Sequence, residues 1–258
     1  MRNATAILLF VSMILCLNTN AIVAEDANSI VAKHLEAKGG VENLKAVKTL
    51  TKIGKVNANG MTGNIELYQR APLQRFLRLQ IMGLTVREGC DGEHIWSVTP
   101  NGFKLFEGEE REKRLDQSRI EPLIGYKERG GEFEYVGEDS VKGVMCHKLL
   151  FIEPTGDSVY AFIAKDSYQM LKSMVPTPQG NMEQYWDNFR EVDGVVFPFL
   201  MWSSSPTGSM KFEFTEIQVN TELSDTLFIM PDSTKIKPRM IPLPDSLRGK
   251  GSAQPRGK

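Results

Sequence analysis

The sequence predicts a mainly β fold with a few helices, an open, half-closed antiparallel barrel covered by lid helices, and three observations lead there. From about Thr49 onward, apolar and polar residues alternate at period two. Turn signals break that alternation at short, even intervals: Asn59-Gly60, Asp91-Gly92, Asn101-Gly102, Lys142-Gly143, Gly156-Asp157, Gly180-Asn181, Asp193-Gly194 and residues 206–208. Joints this tight connect antiparallel neighbours, because parallel strands need crossovers of roughly a dozen residues or more. Finally, large apolar groups recur on single strand faces, as in Leu77, Leu79 and Ile81, Leu149 and Phe151, Tyr160 and Phe162, and Phe212 and Phe214. A sheet greasy on one face needs a cover, and only two or three short helices are available to provide it. A strongly curved sheet partly filled by helices satisfies this better than a two-sheet sandwich.

The chain has 258 residues and opens with the pattern of a secretory signal. Arg2 supplies the positive charge, residues 6–17 are apolar, and Ile22, Val23 and Ala24 precede acidic Glu25 and Asp26. Cleavage is expected after Ala24, with Ala21 as the alternative. The apolar stretch is shorter than the ~20 residues that span a bilayer. Cys16 follows Met13, Ile14 and Leu15, too bulky for a lipid-attachment site. A non-lipidated, exported, periplasmic protein is therefore expected, with residues 25–234 as a single domain. Residues 235–258, rich in Pro, Gly, Lys and Arg, are expected to be a disordered tail.

Within the domain, Ala27, Ile30, Val31, His34, Leu35 and Lys38 recur at helical spacing. Asp26 or Asn28 is available as N-cap and Gly39-Gly40 as the stop. A second short helix is expected over residues 41–47. The strands that follow are interrupted once, over residues 107–129. The charge run of residues 107–114 suits a solvated helix or loop. Ser118 and Glu121 have capping-box spacing, Pro122 falls in a first turn, and Ile120, Leu123 and Ile124 form an apolar stripe, which together predict a helix there. Further on, residues 187–199 form two apolar runs hinged on Asp193-Gly194, the strongest short-range hairpin signal in the chain.

Charge excludes one class of function. With 31 basic against 32 acidic residues, no electrostatic case for nucleic acid exists. The search for chemistry is equally spare. His34, His94 and His147 are scattered, with no H-E-x-x-H pair, C-x-x-C, G-x-S-x-G or phosphate-binding glycine loop. Asp91, Glu93 and His94 near a turn could orient an imidazole, but a hairpin Asp-Gly followed by a surface histidine explains them as well. No enzyme, metal or cofactor is expected. Cys90 and Cys146 would share an oxidising compartment, either as a disulfide or as small buried hydrophobes. The chain holds twelve methionines, several in strand-like runs (Met82, Met170, Met174, Met182, Met201, Met210), and these flexible side chains suit a cavity accepting more than one ligand shape.

Four pieces occur in a telling order: residues 34–40 with 44–50, then Asp91-Gly92-Glu93-His94-Ile95-Trp96, then residues 188–199, then Leu227-Phe228-Ile229-Met230-Pro231. Together they resemble the outer-membrane lipoprotein-sorting proteins, the LolA/LolB-like superfamily, from about Ser29 to Asp232. The resemblance implies an open barrel that holds acyl chains between barrel and lid helices. It places the first helix, with Ile30 and Leu35, and the segment with Ile120, Leu123 and Ile124 as lid. Leu77, Leu79, Ile81, Phe151, Phe162, Phe212 and Phe214 become candidate lining, and Gly39-Gly40 and Gly130-Gly131 candidate hinges. The Met82-Gly83-Leu84 tip is similar to the protruding loop with which the acceptor branch touches a bilayer. The function implied is a monomeric periplasmic carrier or chaperone of lipoprotein acyl chains or other lipids, with transient membrane contact. An envelope sensor or adaptor using the same fold to bind a protein partner is the alternative.

Overall fold

A computed structural model of the chain describes residues 26–153 and 155–236. The expected signal segment, residues 1–24, and positions 237–258 of the expected tail lie outside the described residues.

Helix α1 (Ala27–Ala37) starts where the sequence places it: the Asp26 carboxylate accepts the Ser29 N–H at 2.9 Å as N-cap. Gly39 and Gly40, both at positive φ, end it, and α2 (Val41–Ala46) follows. The chain then lays down β1 (Thr49–Ala58), β2 (Met61–Arg70), β3 (Gln74–Ile81), β4 (Leu84–Asp91), β5 (Ile95–Thr99) and β6 (Gly102–Phe106) as a meander. After α3 (Gly108–Asp116) and a run of turns, a second meander comprises β7 (Glu132–Val141), β8 (Val144–Ile152), β9 (Ser158–Ala164), β10 (Met170–Thr177), β11 (Gly180–Val192), β12 (Val195–Ser205) and β13 (Gly208–Val219).

All thirteen strands join one antiparallel sheet in the order β6-β5-β4-β3-β2-β1-β13-β12-β11-β10-β9-β8-β7. The two meanders meet where β13 pairs with β1, with a bulge between Ile53 and Gly54 that sharpens the local bend. β6 and β7 remain as unpaired edges, so the barrel is half-closed. The Asp193-Gly194 hairpin forms as expected: Val192 pairs with Val195 across two residues of positive φ.

In the interruption between the meanders the charge run takes one of its two expected forms, a helix, and the second part differs from expectation. The helix falls on the charge run, Gly108–Asp116, and Ser118 to Tyr126 form successive turns. Glu109 to Lys113 (3.0 Å) and Glu110 to Arg114 (3.3 Å) are i,i+4 pairs that favour helix there. The capping box does not form, because both of its residues are used elsewhere. The Ser118 hydroxyl donates back to the Arg114 carbonyl, and the Glu121 carboxylate pairs with Lys38.

Both sheet faces are covered, by different means. The concave face packs on α1, α2 and the 117–131 segment. On the convex face Phe76, Trp96 and Val98 are covered by the C-terminal strap through Leu223, Leu227, Phe228 and Ile236. Trp96 lies flat over Gly89, where a β-carbon would stand 2.1 Å from its ring. Ile236, assigned by the sequence to a disordered tail, is part of this packing. Farther along the convex face no strap is present among the described residues, and lysine stems provide the cover. Lys148 and Lys172 sit over Tyr160, Phe162 and Tyr185, and Lys142 lies 3.6 Å from the Trp202 ring centre.

Candidate functional site

Strand alternation decides what the concave face presents. β1 turns Leu50, Lys52, Val56 and Ala58 inward, flanked in register by Gln69, Leu67, Gly63 and Met61 of β2 and by Val219, Ile217, Phe212 and Met210 of β13. α1 fills one end of this concavity, where Ile30, Val31 and Leu35 share a buried cluster with Leu50, Val195, Phe197, Ile217 and Val219. Toward the other end Leu67, Leu77, Leu79, Ile81, Met201 and Phe212 are only partly buried. The rim there is apolar and open, with Met82 73 %, Met182 54 % and Met61 44 % exposed. From Lys52 to the rim at Ala58 the trough runs about 20 Å, six residues at roughly 3.3 Å each.

The residues singled out from sequence fall as follows. Ile30, Leu35, Phe151 and Phe214 are buried in the main core, and Leu77, Leu79, Ile120, Leu123, Ile124 and Phe212 pack partly buried against it. Ile81 pairs with Gly63 on the same face, nearer the rim. Phe162 is a correction: its ring is on the convex face. Its neighbours Ala161 and Ile163 point into the concave core, and Phe162 pairs with Lys172 under two lysine ammonium groups. The large aromatic at 162 and the small Ala161 invert the usual correlation of size with the inward face. Met82 and Gly83 form a two-residue turn with φ of 50° and 78°, projecting Met82 and Leu84 from the open end.

α1 is hydrogen-bonded to the barrel at its C-terminal end. The Val196 N–H donates to the Lys38 carbonyl at 2.9 Å, and the Gln169 side-chain amide donates to the Ala37 carbonyl at 2.9 Å. His34 Nδ1 donates to the Tyr168 carbonyl at 2.7 Å. Gly39, named above as a candidate hinge, packs closely against Gly194.

Where α1, the 117–131 segment and β1 meet, the structure gathers charges inside the apolar wall. Lys38 and Glu121 form a hydrogen-bonded ion pair, with the Glu121 side chain only 6 % exposed. Burial tends to raise the Glu121 carboxyl, but Lys38, His34 and the Leu123 N–H together hold it below the ordinary range. His34 beside them is pushed down to about 4, first by burial and then by Lys38, so it is neutral at pH 7. Lys52 is brought down to about 8, by burial and then by repulsion from Lys38, with Glu121 opposing. Its ammonium sits 5.4 Å and 5.5 Å from the ring centres of Phe197 and Phe214. Among the described residues no carboxylate lies within ion-pair distance of Lys52.

Sequence reasoning missed Lys52 and the Lys38–Glu121 pair. A signal for Lys52 was present, since its spacing from Leu50 and Val56 puts a charge on an otherwise apolar strand face. Lys38 and Glu121 are far apart in sequence, and nothing local joins them.

The remaining residues singled out from sequence for chemistry are placed structurally. Asp91 accepts the backbone N–H groups of Glu93 and His94 and lies 3.1 Å from His94 Nδ1, tying off the β4–β5 turn on the surface. Cys90 and Cys146 are free and buried in separate clusters on opposite faces of the sheet. Two open grooves of about 340 and 400 Å³ lie at the C-terminal strap, away from the charge cluster.

No family model and no curated protein matches the chain. Among solved structures it is similar to a DUF1329 family protein from Desulfovibrio piger, with a TM-score of 0.53 and 12 % identity over 79 % of this chain and 97 % of that one. It is also similar to a putative outer membrane lipoprotein-sorting protein domain from Vibrio parahaemolyticus (TM-score 0.53, 13 % identity, 77 % and 94 % covered). A LolA superfamily protein from Nitrosomonas europaea aligns with a TM-score of 0.51 at 11 % identity over 80 % and 98 %. The likeness is one of fold: the chain has a LolA-like open barrel.

Proposed function

We propose that the protein is a non-enzymatic carrier for hydrophobic ligands, which it holds in the concave trough between Lys52 and the methionine rim. The observation that carries this reading is a row of partly exposed apolar side chains, Leu67, Leu77, Leu79, Met201 and Phe212, on the inner face of a half-closed barrel. An apolar surface of this kind is ordinarily either buried or used. Each methylene transferred from water into it contributes roughly 0.8 kcal/mol, so one acyl chain offers on the order of ten kcal/mol before ordering costs. The cargo this fits is a lipoprotein acyl chain or another lipid, carried across the periplasm toward the outer membrane after export.

With α1 anchored by its C-terminal backbone, entry is through the open end. The exposed Met61, Met82 and Met182 supply adaptable apolar contacts for a membrane or a donor protein there. Titration with N-phenyl-1-naphthylamine, a dye that brightens in apolar surroundings, tests the reading. Saturable brightening that is lost in Leu79→Gln, with the fold intact by circular dichroism, is expected. No saturable signal with the native chain would refute it.

A further inference from the structure

We propose that Lys52 selects the head of the cargo, so that the trough takes single-chain amphiphiles with an anionic carboxylate or phosphate group. This rests on the carrier reading above and narrows its cargo to free single-chain lipids, whose whole head group can enter the trough. Lys52 lies at the inner end of the trough, where α1 stops filling the concavity, with the apolar run to the rim beginning beside it at Leu67. An amphiphile entering tail-outward would bring its head to this point and leave its chain along Leu67, Leu79 and Phe212.

The neighbouring charges are already committed in a way that leaves Lys52 available. Glu121 is held by Lys38 and the Leu123 N–H, so it does not serve as the counter-ion of Lys52. The two phenylalanine rings partly compensate the ammonium but give it no acceptor. A cation among apolar walls is costly unless an anion joins it. Lys52 is half-buried as a residue, and the open trough is the path by which a head would reach its enclosed ammonium. The Lys38–Glu121 pair is close to neutral as a whole, so the charge that meets a ligand head here is that of Lys52 itself.

The test displaces N-phenyl-1-naphthylamine from the purified, delipidated protein at pH 7 with four probes of equal chain length: dodecanoate, dodecyl phosphate, 1-dodecanol and dodecyltrimethylammonium. The anions should displace the dye at concentrations at least tenfold below those of the alcohol and the cation. Whichever anion is tighter identifies the head as carboxylate or phosphate. Lys52→Met should bring the anions level with the alcohol, and Lys52→Arg should keep the preference. Equal displacement by dodecanol and dodecanoate, or an anion preference surviving in Lys52→Met, would overturn the assignment to Lys52 and leave the carrier reading standing. Displacement by none of the four would remove both.

Discussion

The carbonyl oxygen of Gly194 stands 2.1 Å from where a β-carbon on Gly39 would be, so the end of α1 and the β11–β12 hairpin touch backbone to backbone. Gly39 also sits at φ +118°, which L side chains rarely adopt. The contact brings the Lys38 carbonyl to the Val196 N–H and fixes how α1 fills the barrel.

Gly39→Ala should therefore cost about 2–4 kcal/mol, combining backbone strain with loss of the docked hydrogen bond. Urea unfolding checks this. A change below 0.5 kcal/mol, on the order of an ordinary surface substitution, would mean that α1 is not anchored there.

Glu121 balances the charge inside the barrel. Glu121→Gln leaves Lys38 without its partner and removes the one carboxylate that favours a charged Lys52. Destabilisation of about 3 kcal/mol is expected, because breaking a buried pair strands the remaining charge. The double variant Lys38→Met with Glu121→Leu should recover most of that loss by apolar packing. Chemical denaturation of both variants checks this, and a double variant no more stable than Glu121→Gln would argue against the pair.

His34 sets a pH dependence whose sign follows from its environment. Burial and Lys38 bring its native pKa to about 4, below the ordinary 6.5. Below pH 6.5 the unfolded chain takes up a proton that the folded one refuses. Its contribution is full above pH 6.5 and falls away toward pH 4, by about 3 kcal/mol in all. His34→Asn, which keeps a donor for the Tyr168 carbonyl, should flatten the stability profile between pH 6.5 and 4. An unchanged slope would show that other groups cause the acid sensitivity.

Met82 occupies a turn position at φ 50° where asparagine is at ease. Met82→Asn should leave stability unchanged or raise it by a few tenths of a kcal/mol. It should also weaken adsorption to phosphatidylethanolamine–phosphatidylglycerol vesicles in a flotation assay. Adsorption equal to that of the unaltered chain would relieve the tip of any membrane role.

Much of the architecture was legible because it is local. The Asp26 cap, the Gly39-Gly40 stop and the Asp193-Gly194 hairpin each depend on a few adjacent residues. Face assignment was less secure: Phe162 shows that size does not fix which way a strand residue points when lysine stems cover the outer face. Within the interruption that begins at residue 107, the helix expected around residues 120–124 was misplaced because Ser118 and Glu121 were judged by their spacing, whereas tertiary partners decide their use. The charge cluster of His34, Lys38, Lys52 and Glu121 was hidden for the same reason, since it exists only once α1, β1 and the crossing segment are brought together.

The central claim is that the trough carries lipid, and mass spectrometry of organic extracts from the folded protein, purified gently from its own cells, tests it most directly. The account predicts lipid or acylated polypeptide at close to one mole per mole of protein after gentle purification, falling sharply in Leu79→Gln. Protein that emerges empty, or bound instead in a stable complex with another polypeptide, would contradict it.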